Sequence, residues 1–449
     1  MPSNTITVRS IRNMLHPGMG LLLLIFYAYA AFPQQSSSSP TSIQTFNTKL
    51  QILIQAAQDN PRLKAADAKV LASSNAADIQ KSLDPPQVGV EFYNAPVSSF
   101  PNPFKNQMEY DYSIQQMLPF PGKLGTMAKA EQKRTEMLKA DRRTLEQEIV
   151  RNVKSVYYEL YLIYRRMEIN RETQDLVRGF VDIARKQYEV GMGKQSDVLR
   201  GQTELTTLVN DSIILVQQRK SMEGMLNSLC NKPVSMEIGF IPEIEPMMPN
   251  YDLTGLLAIA EKNRPELKSM LADVEMQQAE RAAARKEYLP DFMARGMYKQ
   301  LTQSSDDWSL MIGVTVPVAP WSLGKYSSAS ARSEANISTA QSERDNMKNM
   351  IASEVNDALL KVESGKQRLK LSKETAIPQA RQTLESALSA YSTGKQEFLM
   401  LIDIERMLVM AKLDYHMAVM TLLDSQSRLE RAVGLNMDEI DKDIERGNR

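Results

Sequence analysis

Two histidines and one cysteine in 449 residues leave little from which to build a catalyst. His16 lies in an apolar leader and His416 in a helical stretch, so neither a histidine metal site nor a nucleophile with a histidine base can be assembled. Cys230 stands alone, has no internal disulfide partner, and reads as a small core residue near a helix end. Carboxylates are plentiful, but no pair is singled out by spacing. Methionine is the one soft donor present in quantity, and 27 thioethers invite Cu(I) or Ag(I). Met400, Met407, Met410, Met417 and Met420 step by seven and three, the spacing of a packed helical seam, so they are expected to fill core. Met293, Met297 and Met311 fall instead on one face of two alternating stretches and are the metal candidates that remain. No cofactor is expected, and the inventory points away from an enzyme.

The elements that carry these residues are mostly helical. Aromatics are only 6% of the chain, and Gly and Pro are scarce, which is a composition for long helices. Charges balance, 54 Lys and Arg against 54 Asp and Glu, so there is no electrostatic footprint for nucleic acid. Residues 1–30 read as a signal peptide: Arg9 and Arg12 precede the apolar run GMGLLLLIFYAYA, which ends in small-x-small. No Cys follows that run, so a lipoprotein is not expected. A Ser-rich linker is assigned to 31–42.

The remainder reads as two copies of one plan, 43–233 and 234–434, followed by a tail over 435–449. NPRLKAADA at Asn60 answers NRPELKSML at Asn263, PFPGKLG at Pro119 answers PVAPWSLGK at Pro317, and YEVGMGKQSDVL at Tyr188 answers YSTGKQEFLMLI at Tyr391. Each half has a short helix, two strands, a very long helix, a turn and a further helix. The first long helix, about Lys123 to Tyr188, spans roughly 100 Å, and the two shorter ones nearly sum to it. Short helices can therefore stack end to end beside the long one, as rods joined at a tip. In the second half the long helix is expected without a break from about Lys325 to Tyr391. Such narrow apolar faces need neighbours, so the single chain looks unfinished.

Four stretches switch from a period of 3.6 to a period of 2, placing strands at about 87–94, 107–117, 289–301 and 308–316. Tyr110, Tyr112 and Ile114 share a face opposite Glu109, Asp111 and Ser113; Trp308, Leu310, Ile312, Val314 and Val316 share one opposite Ser309, Met311, Gly313 and Thr315. One apolar and one polar face suit a wall between lipid and water. Phe100, Phe104, Phe120, Trp308 and Trp321 at strand ends suit the two bilayer interfaces. Four strands cannot close a barrel, because open edges are not tolerated in lipid. Several chains must share one, and three copies would give twelve strands and room for solute.

These duplicated, ordered segments resemble the TolC outer-membrane efflux family over nearly the whole mature chain, most closely its cation-efflux (Czc and Cus-type) branch. The resemblance implies a mainly α fold with membrane β: a homotrimer sharing a 12-stranded β-barrel, four strands per chain, continued by a 12-helix coiled-coil periplasmic tunnel. An equatorial band would draw on Ile43 to Ala57, Val234 to Lys262 and the tail after Leu435. It also implies an outer-membrane location with a large periplasmic portion, a periplasmic adaptor (membrane fusion) protein, and an inner-membrane pump of the RND type or an ABC transporter. The channel would conduct passively, with metal ions or small toxic compounds as cargo and proteins as the alternative. A secreted coiled-coil scaffold or adhesin without a barrel is the rival outside the duct class.

At the tips the resemblance places Tyr391 on the family's tip tyrosine, Asp403 on an entrance aspartate and Asp197 on a tip aspartate of the first half. The latch arginine's position falls on Gln396 and a second aspartate's on Met400, so an arginine latch is not expected here. For Asp197 the plainer alternative is that Ser196 and Asp197 cap the following helix. Gly191 and Gly394 are expected to supply positive φ in the helix–helix turns and to let the tips close for adaptor docking.

Overall fold

The computed structural model describes residues 40–447 other than 94, 96, 103, 105–108, 303 and 318. The leader, most of the linker and the strand ends expected at Asn94, Gln107 and Met108 lie outside those residues. Ten α-helices and four strands follow in order: α1 (Pro40–Ala57), α2 (Pro61–Ile79), β1 (Gln87–Tyr93), β2 (Glu109–Leu118), α3 (Lys123–Glu189), α4 (Gln195–Leu229), α5 (Leu253–Asn263), α6 (Pro265–Lys286), β3 (Phe292–Leu301), β4 (Asp307–Val314), α7 (Leu323–Leu371), α8 (Ile377–Ser392), α9 (Phe398–Val433) and α10 (Met437–Gly447).

Local chemistry sets the boundaries. Pro61 and Pro265 start α2 and α6 at positions where the missing N–H costs nothing, and the Asn60 side chain accepts from Arg62 N to cap α2. Gly122, in the left-handed region at φ 82°, turns β2 into α3, and Gly434 at φ 85° ends α9. The expected unbroken second long helix is corrected: five residues, Ser372–Ala376, form a π turn between α7 and α8. Its cause is Pro378, which has no N–H to give and whose ring crowds the preceding turn.

The 67-residue α3 is the spine of the protomer. It packs against α2 and α4, and also against α6 and α9 of the second half; α7 packs on α6 and α9. Around its middle, Tyr157, Leu160 and Tyr161 are fully buried with Phe46 of α1, Ile241 and Ile244 of the connecting segment, Leu256 of α5, and Val355, Val419 and Leu422 beyond. Gly365 lets α9 approach closely, since a Cβ there would stand 3.3 Å from Leu422. Cys230 lies buried at the end of α4, its Sγ 3.4 Å from Leu53 O. His416 is held at Nδ1 by the Tyr161 hydroxyl at 3.1 Å, and burial lowers its pKa to about 4, so it stays neutral. Among the described residues no helix is long and apolar enough to cross a membrane.

The four strands form an antiparallel meander in the order β1-β2-β3-β4. Register pairs Val90, Tyr112, Tyr298 and Trp308 in one row and Glu91, Asp111, Lys299 and Asp307 in the next. Residues directly opposite share a face, so apolar and aromatic side chains line one side and charges the other. On the apolar side Trp308 is 79% exposed, left largely uncovered by the other described residues. On the charged side Asp111 is 3% exposed, and Lys299 reaches Glu109 at 2.8 Å and Asp111 at 3.5 Å. One face thus asks for an apolar surrounding, while on the other Lys299 pairs with Glu109 and Asp111 within the wall and leaves Asp111 Oδ1 without a hydrogen bond.

Candidate functional site

The far end of the helices holds the expected gate residues. The α3–α4 turn is closed by Gly191 at φ 75°, where an L side chain would be strained, and by Met192 N and Gly193 N donating to Gln187 O at 2.8 and 2.9 Å. The α8–α9 turn repeats this with Gly394 at φ 71° and Lys395 N donating to Ala390 O at 2.9 Å. Gln187 Nε2 donates across to Tyr391 O at 3.0 Å and ties the two turns together. Sequence reasoning missed Gln187, because its partner is 204 residues away.

Tyr391 lies buried in the tip core. It meets Phe398 edge to face with ring centroids 5.5 Å apart, within a cluster that includes Val177, Phe180, Leu208, Leu384 and Leu401. Burial and then the nearby Asp197 charge push its phenol up to about 12, so it remains protonated. Asp197 sits in the first turn of α4. The capping alternative is corrected: Lys194 is the N-cap and no side chain caps the helix, so Ser196 and Asp197 lie inside it. Asp197 still complements the helix N-terminus with its charge. Gln396 is half-buried in the second turn. Asp403 is exposed on α9, with the Arg406 guanidinium 3.9 Å away; Arg406 also pairs with Glu204 of α4.

The methionine seam is corrected for three of its five residues, while Met417 is half-buried and Met420 packs against the main core. Met400, Met407 and Met410 are 51%, 54% and 63% exposed in the protomer. The apolar face that α9 buries is built from Phe398, Leu401, Ile402 and Leu408, and the methionines share the opposite side with Asp403. Met293, Met297 and Met311 do fall together on the charged face of the sheet, but Arg295 is paired directly with Met311 and Lys299 follows Met297 by two residues. Cations at those positions oppose a cation site. Among the described residues no group of three His, Cys, Asp or Glu is placed to hold a metal.

At the other end, the PFPGKLG segment joins sheet to helices. Lys123, nearly buried, bonds Asp291 at 2.9 Å and Glu287 at 3.1 Å, while Asp291 also accepts from Phe120 N at 2.9 Å. Lys286 donates to Gly122 O at 2.7 Å. The two halves are thus riveted where the rods meet the sheet.

The protomer thus joins a sheet with an uncovered apolar face to rods of about 100 Å. A profile described as "Outer membrane efflux protein" matches residues 52–230 and again 256–435. The chain belongs to the outer membrane efflux protein family. Solved structures share its fold: the outer-membrane channel OprN at TM-score 0.73 and 16% identity, covering 88% of this chain and 92% of that one; CusC at 0.73 and 18%, covering 87% and 92%; and VceC from Vibrio cholerae at 0.71 and 17%, covering 88% and 98%. A search by sequence among curated proteins finds no match. The family is one of outer-membrane efflux channels, and that is the class of this chain. The Czc and Cus-type branch is not singled out, since OprN and CusC score alike.

Proposed function

We propose that three copies of this chain pool their sheets into one twelve-stranded barrel and their helices into one periplasmic tunnel. The duct would passively conduct metal ions or small toxic compounds delivered by a periplasmic adaptor and an inner-membrane pump. The observation that carries this reading is the four-stranded sheet. Its edge strands β1 and β4 each pair on one side only among the described residues, and its apolar face is uncovered. Unpaired strand edges cost several kcal/mol per orphaned group in lipid. Closure with further copies satisfies them, and β4 of one chain running antiparallel to β1 of the next continues the alternation. The same holds for the helices: among the described residues the main packing of α7 is on α5, α6 and α9, and α4 exposes Leu199, Val209 and Ile213.

Within that duct we assign the entrance to the tip. Asp197, Asp403 and Gln396 act as constriction residues, Tyr391 holds the closed packing from inside, and Gly191 and Gly394 shape the turns that meet the adaptor. Planar-bilayer recording tests this. Wild type is expected to be mostly closed, and Asp197→Ala with Asp403→Ala to raise open time severalfold; unchanged currents would remove the gate assignment.

A further inference from the structure

Glu405 is out of place. It is 1% exposed on α9, among Leu401, Ile402, Ile404 and Leu408 of the tip core, and its Oε1 has no hydrogen-bond partner. A carboxylate in such surroundings is costly unless paired. The neighbouring cations are engaged elsewhere. Arg406 bonds Glu204 of α4, and Lys412 bonds Glu172 of α3 at 2.7 Å. Glu204 is itself only 13% exposed, so the α4 group facing Glu405 is a second acid. From α8 no charged group acts on it.

We infer that Glu405 is a proton-operated clasp between the two tip hairpins, closed when it carries its proton and loosened when it gives the proton up. The inference rests on the proposed duct and adds what drives its entrance. Burial first, and the Glu204 charge second, lift the Glu405 acid from 4.5 to about 7. The raised value fixes the sign. The packed tip holds its full advantage below about pH 4.5 and loses it as pH rises through about 7, because the ionised group is better served by water than by the core. Opening is therefore favoured on the alkaline side. His416 and Tyr391 supply no competing transition in that window, since they titrate near 4 and 12.

The test is amide hydrogen exchange on the full chain in detergent, read as protection factors for 199–208 and 398–408 between about pH 5 and pH 8. Wild type is expected to lose protection with rising pH by about tenfold or more, with a ceiling of roughly a few hundredfold set by the rise of the Glu405 acid from 4.5 to about 7. Glu405→Gln should hold the acid-side protection throughout. Glu204→Gln should keep the wild-type slope and move its midpoint to lower pH. A pH-independent wild type, a Glu405→Gln variant with the wild-type slope, or an unmoved Glu204→Gln midpoint would each overturn the clasp. The readout needs no current, so a channel that fails to conduct would sink the duct and leave this result standing.

Discussion

The two joints at which a short helix stacks on its successor solve one problem with different chemistry. In the first half, Asn60 at the start of α2 donates from Nδ2 to Leu229 O at the end of α4, at 2.9 Å. In the second half, Arg264 at the start of α6 donates from Nη1 to Arg431 O at the end of α9, at 2.6 Å. Both joints need a left-handed residue just past the helix: Asn231 at φ 53° in one, Gly434 at φ 85° in the other. A neutral amide suffices where the joint lies against α3. Where it lies against α7 as well as α3, Arg264 and Arg431 share Glu266 and Glu354 in a four-charge knot. The difference follows from what surrounds each rod. The first long helix is enclosed by its own chain, whereas α7 stands at an edge, and charges that partly face water can be paired there without the full cost of burial.

That contrast can be broken in order of expected effect. Arg264→Ala should cost about 2 to 3 kcal/mol, because it removes a buried guanidinium's bond to the Arg431 carbonyl and its pairing with the half-buried Glu266 and Glu354, which keep Arg431. Asn60→Ala should cost only about 1 to 2 kcal/mol, for one cap and one hydrogen bond. Thermal unfolding of the two variants side by side checks the ranking, and equal losses would mean the knot adds nothing. A smaller pair sharpens it. A Cβ at Gly434 would stand 3.1 Å from the Asn263 carbonyl carbon at positive φ, so Gly434→Ala should lose about 1 to 2 kcal/mol. Asn231→Gly, at a position that already tolerates a side chain, should change stability by about 0.5 kcal/mol or less. Denaturant midpoints would show the asymmetry, and its reversal would contradict the assignment of the closer packed joint to the second half.

The same contrast explains what could be read from sequence. Helix and strand types were legible because the hydrophobic period changes from 3.6 to 2 and back, with Pro61, Pro265 and the tip glycines marking boundaries. The faces of the sheet follow from alternation alone, as the Trp308 row and the Lys299 row do. Features that depend on long-range partners were not legible. Lys123 gives no hint of Glu287 and Asp291, and the spacing of Met400, Met407 and Met410 marks a helical stripe without saying whether a neighbour in the same chain covers it. Glu405 sits at a core position of α9 that a pattern of charges on a long helix does not betray. The π turn had a visible cause in Pro378, inside a segment whose periodicity otherwise runs straight through it.

Whether chains complete one another is tested most directly by the mass of the purified full chain in detergent. Light scattering corrected for bound detergent should give three chain masses, with β1 and β4 close enough for an engineered cysteine pair to crosslink neighbours into a covalent trimer. A monodisperse single-chain particle, stable without detergent, would contradict it.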